Sequence, residues 1–106
     1  MKVTKHAKER MKQRCGLNAK SSNRMAKIAY EKGLRHADLT GNLKKWVDGL
    51  YFKNTVANQI RLYGDKTYIF HDTDLITVLQ TPHNLVKEAD KLRIKKEGGS
   101  HAEENF

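Results

Sequence analysis

Two groups of side chains in this sequence are spaced so that they could act together on a negatively charged partner. His6, Arg10 and Arg14 recur every four residues, each one position before Ala7, Met11 and Cys15. On a helix such residues share a face, so the three line the border of an apolar stripe, where a polar group is both held and exposed. Lys2, Lys5, Lys8 and Lys12 occupy much of the remaining surface, and Glu9 is the only acid of the segment. His6 taken alone would read as a surface histidine. The second group is Arg61, Tyr68 and Thr77. With a two-residue loop at 64–65 and a four-residue loop at 71–74, these three would align in one row across a sheet, beside Gln59, Tyr63 and Phe70. An arginine among tyrosines and a phenylalanine on an open sheet face offers phosphate contacts and stacking platforms for unpaired bases. The same Tyr68, Phe70 and Leu75 would equally serve to pack under a loop or helix.

Charge distribution points to the same partner. The chain of 106 residues carries a formal net charge of +9. Residues 1–53 hold 14 Lys or Arg against 4 acids, and residues 54–106 hold 7 against 8. A one-sided field of that kind concentrates polyanions, phosphate backbones above all. Lys20 and Arg24 extend the basic surface into a second helix, and Asn58 adds a polar group near the start of the first predicted strand. Metal chemistry is not indicated, because the five histidines are scattered and no Cys or His pair has zinc-site spacing. A phosphate-binding glycine loop is absent too, so no cofactor is expected. Asp72 and Asp74 read as turn residues rather than as a cation site.

The elements that must position these groups follow from periodicity. Val3, Ala7, Met11 and Cys15 predict a helix over 3–15, ended by Gly16. Ser21 or Ser22 would cap a second helix through Met25, Ile28 and Ala29, closed by Lys32 and Gly33. Leu43, Trp46, Val47, Leu50 and Tyr51 give a third, capped by Thr40 or Asn42, with Trp46 as its core anchor. From about residue 56 the period becomes two, and 57–63, 66–71 and 75–80 predict three strands in an antiparallel meander. One face, with Ile60, Leu62, Ile69, Ile76 and Val78, would be covered by helices. Thr81-Pro82 would open a last helix burying Leu85, Val86, Ala89 and Leu92. The expected architecture is therefore α+β: N-terminal helices on a three- to four-stranded antiparallel sheet, then a C-terminal helix. Residues 1–94 would form one basic domain and 95–106 a disordered tail. No apolar run is long enough to span a bilayer. The opening residues lack a secretory signal and Cys15 is single, so a reducing, cytoplasmic location is expected.

The segments Thr4-Lys5-His6-Ala7-Lys8-Glu9-Arg10-Met11-Lys12-Gln13-Arg14, Asn58-Gln59-Ile60-Arg61-Leu62-Tyr63, Tyr68-Ile69-Phe70 and Leu75-Ile76-Thr77-Val78-Leu79 together resemble small phage and mobile-element proteins of the Barnase-EndoU-colicin-RelE superfamily, over roughly residues 3–82. The resemblance implies N-terminal helices ahead of a curved antiparallel sheet, and metal-independent RNA cleavage by attack of a ribose 2′-hydroxyl on the adjacent phosphate. It implies His6 as acid or base, Arg10 and Arg61 as stabilisers of the charged phosphorane, and Thr77 and Tyr68 as orienting groups. No glutamate occurs on the strands where a Barnase-type base would sit, and His71 would face the Ile60 side.

Three functions are compatible with this reading. The first is a toxin-like endoribonuclease acting on RNA, single-stranded rather than duplex, with an acidic inhibitor protein as its natural antagonist. The second is a non-catalytic phage or mobile-element protein that binds nucleic acid or a ribonucleoprotein complex, such as an anti-CRISPR-like inhibitor of host defence. The third is a structural or assembly role driven by protein contacts.

Overall fold

The computed structural model describes residues 1–53 and 56–104, with side chains through residue 96. Helix α1 is Lys5–Cys15, α2 is Ala19–Lys32, α3 is Gly41–Lys53 and α4 is His83–Glu104. A single 3-10 turn, His36–Asp38, separates α2 from α3. Strands β1 (Gln59–Tyr63), β2 (Lys66–His71) and β3 (Asp74–Gln80) form an antiparallel sheet in the order β1-β2-β3. The α+β meander with helices before and after it is thus the observed architecture. No described helix is long and apolar enough to cross a membrane. The tail expected over 95–106 lies, for its side chains beyond residue 96, outside the described residues, while the backbone of α4 runs to Glu104.

Local chemistry sets the boundaries. Thr4 caps α1, so the helix begins at Lys5 rather than at residue 3: the Thr4 hydroxyl accepts from the Ala7 backbone N–H, and Val3 lies outside the helix in a parallel bridge to Leu75. Asn18 rather than Ser21 or Ser22 caps α2, its side chain accepting from the Ser21 N–H. At the first hairpin, Gly64 takes φ +59, a left-handed conformation that costs a glycine nothing.

The strand register departs from expectation at one point. Arg61 faces Tyr68 as anticipated. The β2-β3 turn, however, is two residues long rather than four, since His71 pairs with Asp74 and Asp72 takes φ +53. Asn58 supports that turn: its amide donates to the Asp72 carboxylate at 2.9 Å and accepts from the Asp72 N–H at 2.7 Å. A bulge then leaves Ile76 as the extra residue between Leu75 and Thr77, the partners of Phe70 and Ile69. Tyr68 therefore pairs with Val78, and Thr77 with Ile69. The row is Arg61, Tyr68, Val78, and Thr77 belongs with the opposite face.

Both faces of the sheet are covered, so the open aromatic face is not present. Tyr68, Phe70 and Val78 are buried with Val3, Ala7 and Met11 of the N-terminal segment and Ala26 and Ala29 of α2. Across the sheet, Ile60, Leu62 and Ile69 pack with Leu43 and Val47 of α3 and Leu85 and Ala89 of α4. Val78, expected under the Ile60-side helices, has moved to the other face with the bulge. The reason for the second layer is the small-residue stripe Ser22, Ala26, Ala29, which lets α2 approach closely and seal a face that α1 alone is too narrow to cover. Trp46 is only half-buried at the edge of the α3 cluster, and Leu43 and Val47 are the fully buried anchors.

Candidate active site

Strand β1 lies at an edge of the sheet, and its outward backbone groups all find partners. Leu34 and Leu62 exchange both backbone hydrogen bonds, at 2.8 and 3.0 Å, and the Tyr51 hydroxyl accepts from the Ile60 N–H at 2.9 Å. These contacts protect the edge and fix the segment after α2 and the end of α3 against β1. Between them opens a cleft of about 570 Å³ lined by Arg35, His36, Ala37, Asp48, Tyr51, Asn58, Gln59 and Arg61.

His36 sits on the 3-10 turn. That turn is pinned at Asp38, whose carboxylate accepts from the Arg35 N–H at 2.9 Å and from Lys96 Nζ of α4 at 2.9 Å. Burial pushes the Asp38 carboxyl up, but these hydrogen bonds and the two cations outweigh it and hold the group below its ordinary range. Asp48 and Tyr51 stand one turn apart on α3 and so share a face. His36 Nε2 is hydrogen-bonded to Asp48 Oδ1 at 2.5 Å, and its ring meets the Tyr51 ring edge to face at 5.5 Å. The hydrogen bond from His36, with Lys44 at 3.6 Å, keeps the Asp48 carboxyl below its usual range. An ionised Asp48 favours a proton on Nε2, so in the neutral imidazole Nδ1 carries the lone pair. No protein group among the described residues is bonded to Nδ1.

Arg61 supplies the positive charge. It is 7% exposed, and its Nε donates to the Tyr30 carbonyl at 3.2 Å, while Nη1 donates to Gln59 Oε1 at 2.9 Å. Its Cζ lies 4.8 Å from the centre of the Tyr30 ring. Burial pulls its pKa below the ordinary value, yet a guanidinium stays charged at neutral pH. No carboxylate forms an ion pair with it among the described residues, and Nη2 has no protein partner there. A buried cation held by carbonyl oxygens and an aromatic ring, with one nitrogen open to a cleft, is arranged to receive an anion.

The residues singled out in the sequence are not gathered in one place. Arg61, Gln59 and Asn58 line the cleft. His6 is exposed and Arg10 half-buried on α1, where Arg10 Nε donates to His6 Nε2 at 3.4 Å. Helix α1 packs against β3, the edge opposite β1, so His6 and Arg10 are not brought to Arg61. Tyr68 is 3% exposed beneath the N-terminal helices, and Thr77 is on the face opposite Tyr68. His71, exposed at the β2 end, bonds the Val56 carbonyl through Nδ1 at 2.6 Å. Lys2, Lys5, Lys8, Lys12, Arg14, Lys20 and Arg24 are all exposed, and among the described residues none has an ion-pair partner. Tyr63 lines a separate cavity under α1. No cluster of three His, Cys, Asp or Glu side chains that could hold a metal occurs among the described residues.

Sequence reasoning passed over His36, Asp48 and Tyr51. The signal available was the polar stretch Arg35-His36-Ala37-Asp38 set between Leu34 and Leu39, both of which are buried. A short polar loop anchored by apolar residues at each end is held in place, which is where functional groups are found. Comparison of the chain with protein-family models, curated proteins and solved structures finds no match.

Proposed function

We propose that this protein is a metal-independent endoribonuclease working inside the cell, and that the cleft at the β1 edge is its centre. The observation that carries this reading is the buried, carboxylate-free Arg61 opening onto the same cleft as the Asp48-bound His36. In the reaction His36 Nδ1 takes the proton from a ribose 2′-hydroxyl as that oxygen attacks the adjacent phosphorus. The bond from phosphorus to the 5′-oxygen breaks, leaving a 2′,3′-cyclic phosphate, and Arg61 with Arg35 stabilises the charge that accumulates on the phosphoryl oxygens. Tyr51, whose hydroxyl oxygen already accepts from Ile60, retains its own proton to hand to the departing 5′-oxygen. Holding the attacking hydroxyl and phosphate in line supplies a further part of the acceleration.

The unpaired cationic surface of α1 and α2 supports a second reading, a nucleic-acid-binding protein without catalysis, because exposed lysines free of acid partners release counterions when they meet phosphates. One experiment separates the two. Labelled single-stranded RNA is incubated with the protein in excess chelator, alongside His36→Ala, Arg61→Lys and His6→Ala variants. The nuclease reading expects cleavage that survives chelator and is lost in His36→Ala but kept in His6→Ala. Salt-sensitive binding without cleavage transfers the conclusion to the second reading, and cleavage lost only in His6→Ala returns the centre to α1.

A further inference from the structure

Beneath α1, on the side of the sheet that bears Tyr68, lies a second cavity of about 350 Å³. Its walls include Leu17, Met25 and the Tyr63 ring, with Cys15 beside them, exposed Arg14, and the Asp65–Lys66 ion pair of the first hairpin. Tyr68 also lines it. Its side chain is 3% exposed, its hydroxyl has no hydrogen-bond partner among the described residues, and that oxygen is not among the fully enclosed unpartnered atoms. The hydroxyl therefore meets the cavity. A buried tyrosine ordinarily finds a partner for its O–H, and here the cavity is the place from which one can come. Arg14 is exposed and forms no ion pair among the described residues.

We infer that this cavity is a nucleobase subsite, in which a single unpaired base enters between Met25 and Tyr63, hydrogen-bonds the Tyr68 hydroxyl, and leaves its phosphate at Arg14. Apolar side chains with an aromatic ring suit a base taken out of its stack, and the Tyr68 hydroxyl gives it orientation. Of the two lining cations, Lys66 is already paired with Asp65 and Gln80, so Arg14, which has no acid partner among the described residues, is the one that matches a phosphate attached to that base. Tyr68 stands directly across the β1-β2 pair from Arg61, on the same face, which puts this subsite and the cleft on neighbouring strands. The inference deepens the proposed nuclease by naming unpaired RNA as its substrate and rests on that reading for its biological meaning, though not for its test.

Cys15 provides the readout, since its thiol is free, half-buried and at the cavity wall. The rate at which a neutral maleimide alkylates Cys15 in the intact protein is measured with each of the four nucleoside 5′-monophosphates. Saturable protection by at least one, weakened about tenfold or more in Tyr68→Phe and in Arg14→Gln but unchanged in His36→Ala, is the expected result; tenfold corresponds to about 1.4 kcal/mol, the upper part of the range for one polar contact. Tyr68→Phe removes one oxygen and no volume, and its melting temperature relative to the parent shows that the fold is kept. Absence of protection by all four at millimolar concentration overturns the subsite. So does protection by indole alone, which would mark a merely apolar hole. The nuclease reading fails separately: protection with no RNA cleavage keeps the subsite and removes the enzyme, and cleavage with no protection does the reverse.

Discussion

Gly33 stands directly against Arg61. A β-carbon placed on Gly33 would lie 3.0 Å from the Arg61 Cβ, 3.1 Å from the Leu62 carbonyl oxygen and 2.4 Å from the Ala29 carbonyl oxygen. Two of those three neighbours are backbone: the Ala29 oxygen yields only if the end of α2 is reshaped, and the Leu62 oxygen only if that end moves off β1. The close approach is what lets Leu34 pair with Leu62 immediately afterwards and brings the Tyr30 carbonyl to the Arg61 guanidinium. Gly33→Ala is expected to destabilise the protein by about 1–3 kcal/mol, the usual cost of overpacking. Cleft function should fall further than stability alone explains. A urea melt paired with an RNA cleavage assay checks both, and an unchanged midpoint would show that α2 does not press on β1 as described.

His36 and Asp48 give a prediction in pH. The Asp48 carboxyl lies below its ordinary value because of His36 and then Lys44. A depressed native pKa means that the contact contributes above the unfolded-state value, near 3.9, and is lost as pH falls through the native one. The carbon resonance of the Asp48 carboxyl should titrate below the range of a free aspartate in the parent, and shift upward in His36→Ala. Equal midpoints in the two proteins would dissolve the pair.

The same pair predicts a kinetic signature. Asp48→Asn keeps the shape but can present an N–H to His36, favouring the wrong tautomer. RNA cleavage should fall by about 10²–10⁴-fold, the usual contribution of a positioned base, with affinity for uncleavable RNA unchanged. A loss of affinity without loss of turnover would make Asp48 a binding group instead.

The period-two segments made the strands legible, and the first hairpin could be placed to the residue because Gly64-Asp65 admits few turns. The second hairpin could not. His71-Asp72-Thr73-Asp74 contains turn formers at every position, and a bulge at Ile76-Thr77 leaves no mark in an alternating apolar pattern, so Thr77 was put in a row it does not join. The cover over Tyr68 and Phe70 was hidden for a related reason: the sealing face of α2 is Ser22, Ala26 and Ala29, and small residues carry little hydropathy even when they permit the closest packing. Arg61 was legible as an arginine among aromatics. His36 and Asp48 were not, because twelve residues and a helix boundary separate them and no helical or strand period links such positions.

Helix α3 is anchored by its aliphatic residues, not by its indole. Leu43 and Val47 are fully buried, and Trp46 packs half-buried on the rim of the same cluster. Leu43→Ala is expected to cost about 2–5 kcal/mol, and Trp46→Ala less than Leu43→Ala. Thermal melts of the two variants decide it. The reverse order would return Trp46 to the centre of the core.

Ser22 is the one fully buried side-chain oxygen without a hydrogen-bond partner among the described residues. It sits on the α2 stripe that packs toward the sheet, 0% exposed. A hydroxyl in that position has given up water and received nothing, a deficit of about 1–3 kcal/mol. Alanine at 22 removes the oxygen, leaves a gap smaller than a water molecule and raises helix propensity. Ser22→Ala should therefore stabilise the fold, by up to about 1 kcal/mol once the lost packing of the oxygen is counted. The urea midpoint should rise with the slope unchanged. A fall in the midpoint would mean that Ser22 has a partner in solution, such as a buried water, and that the α2 interface is wetter than its packing indicates.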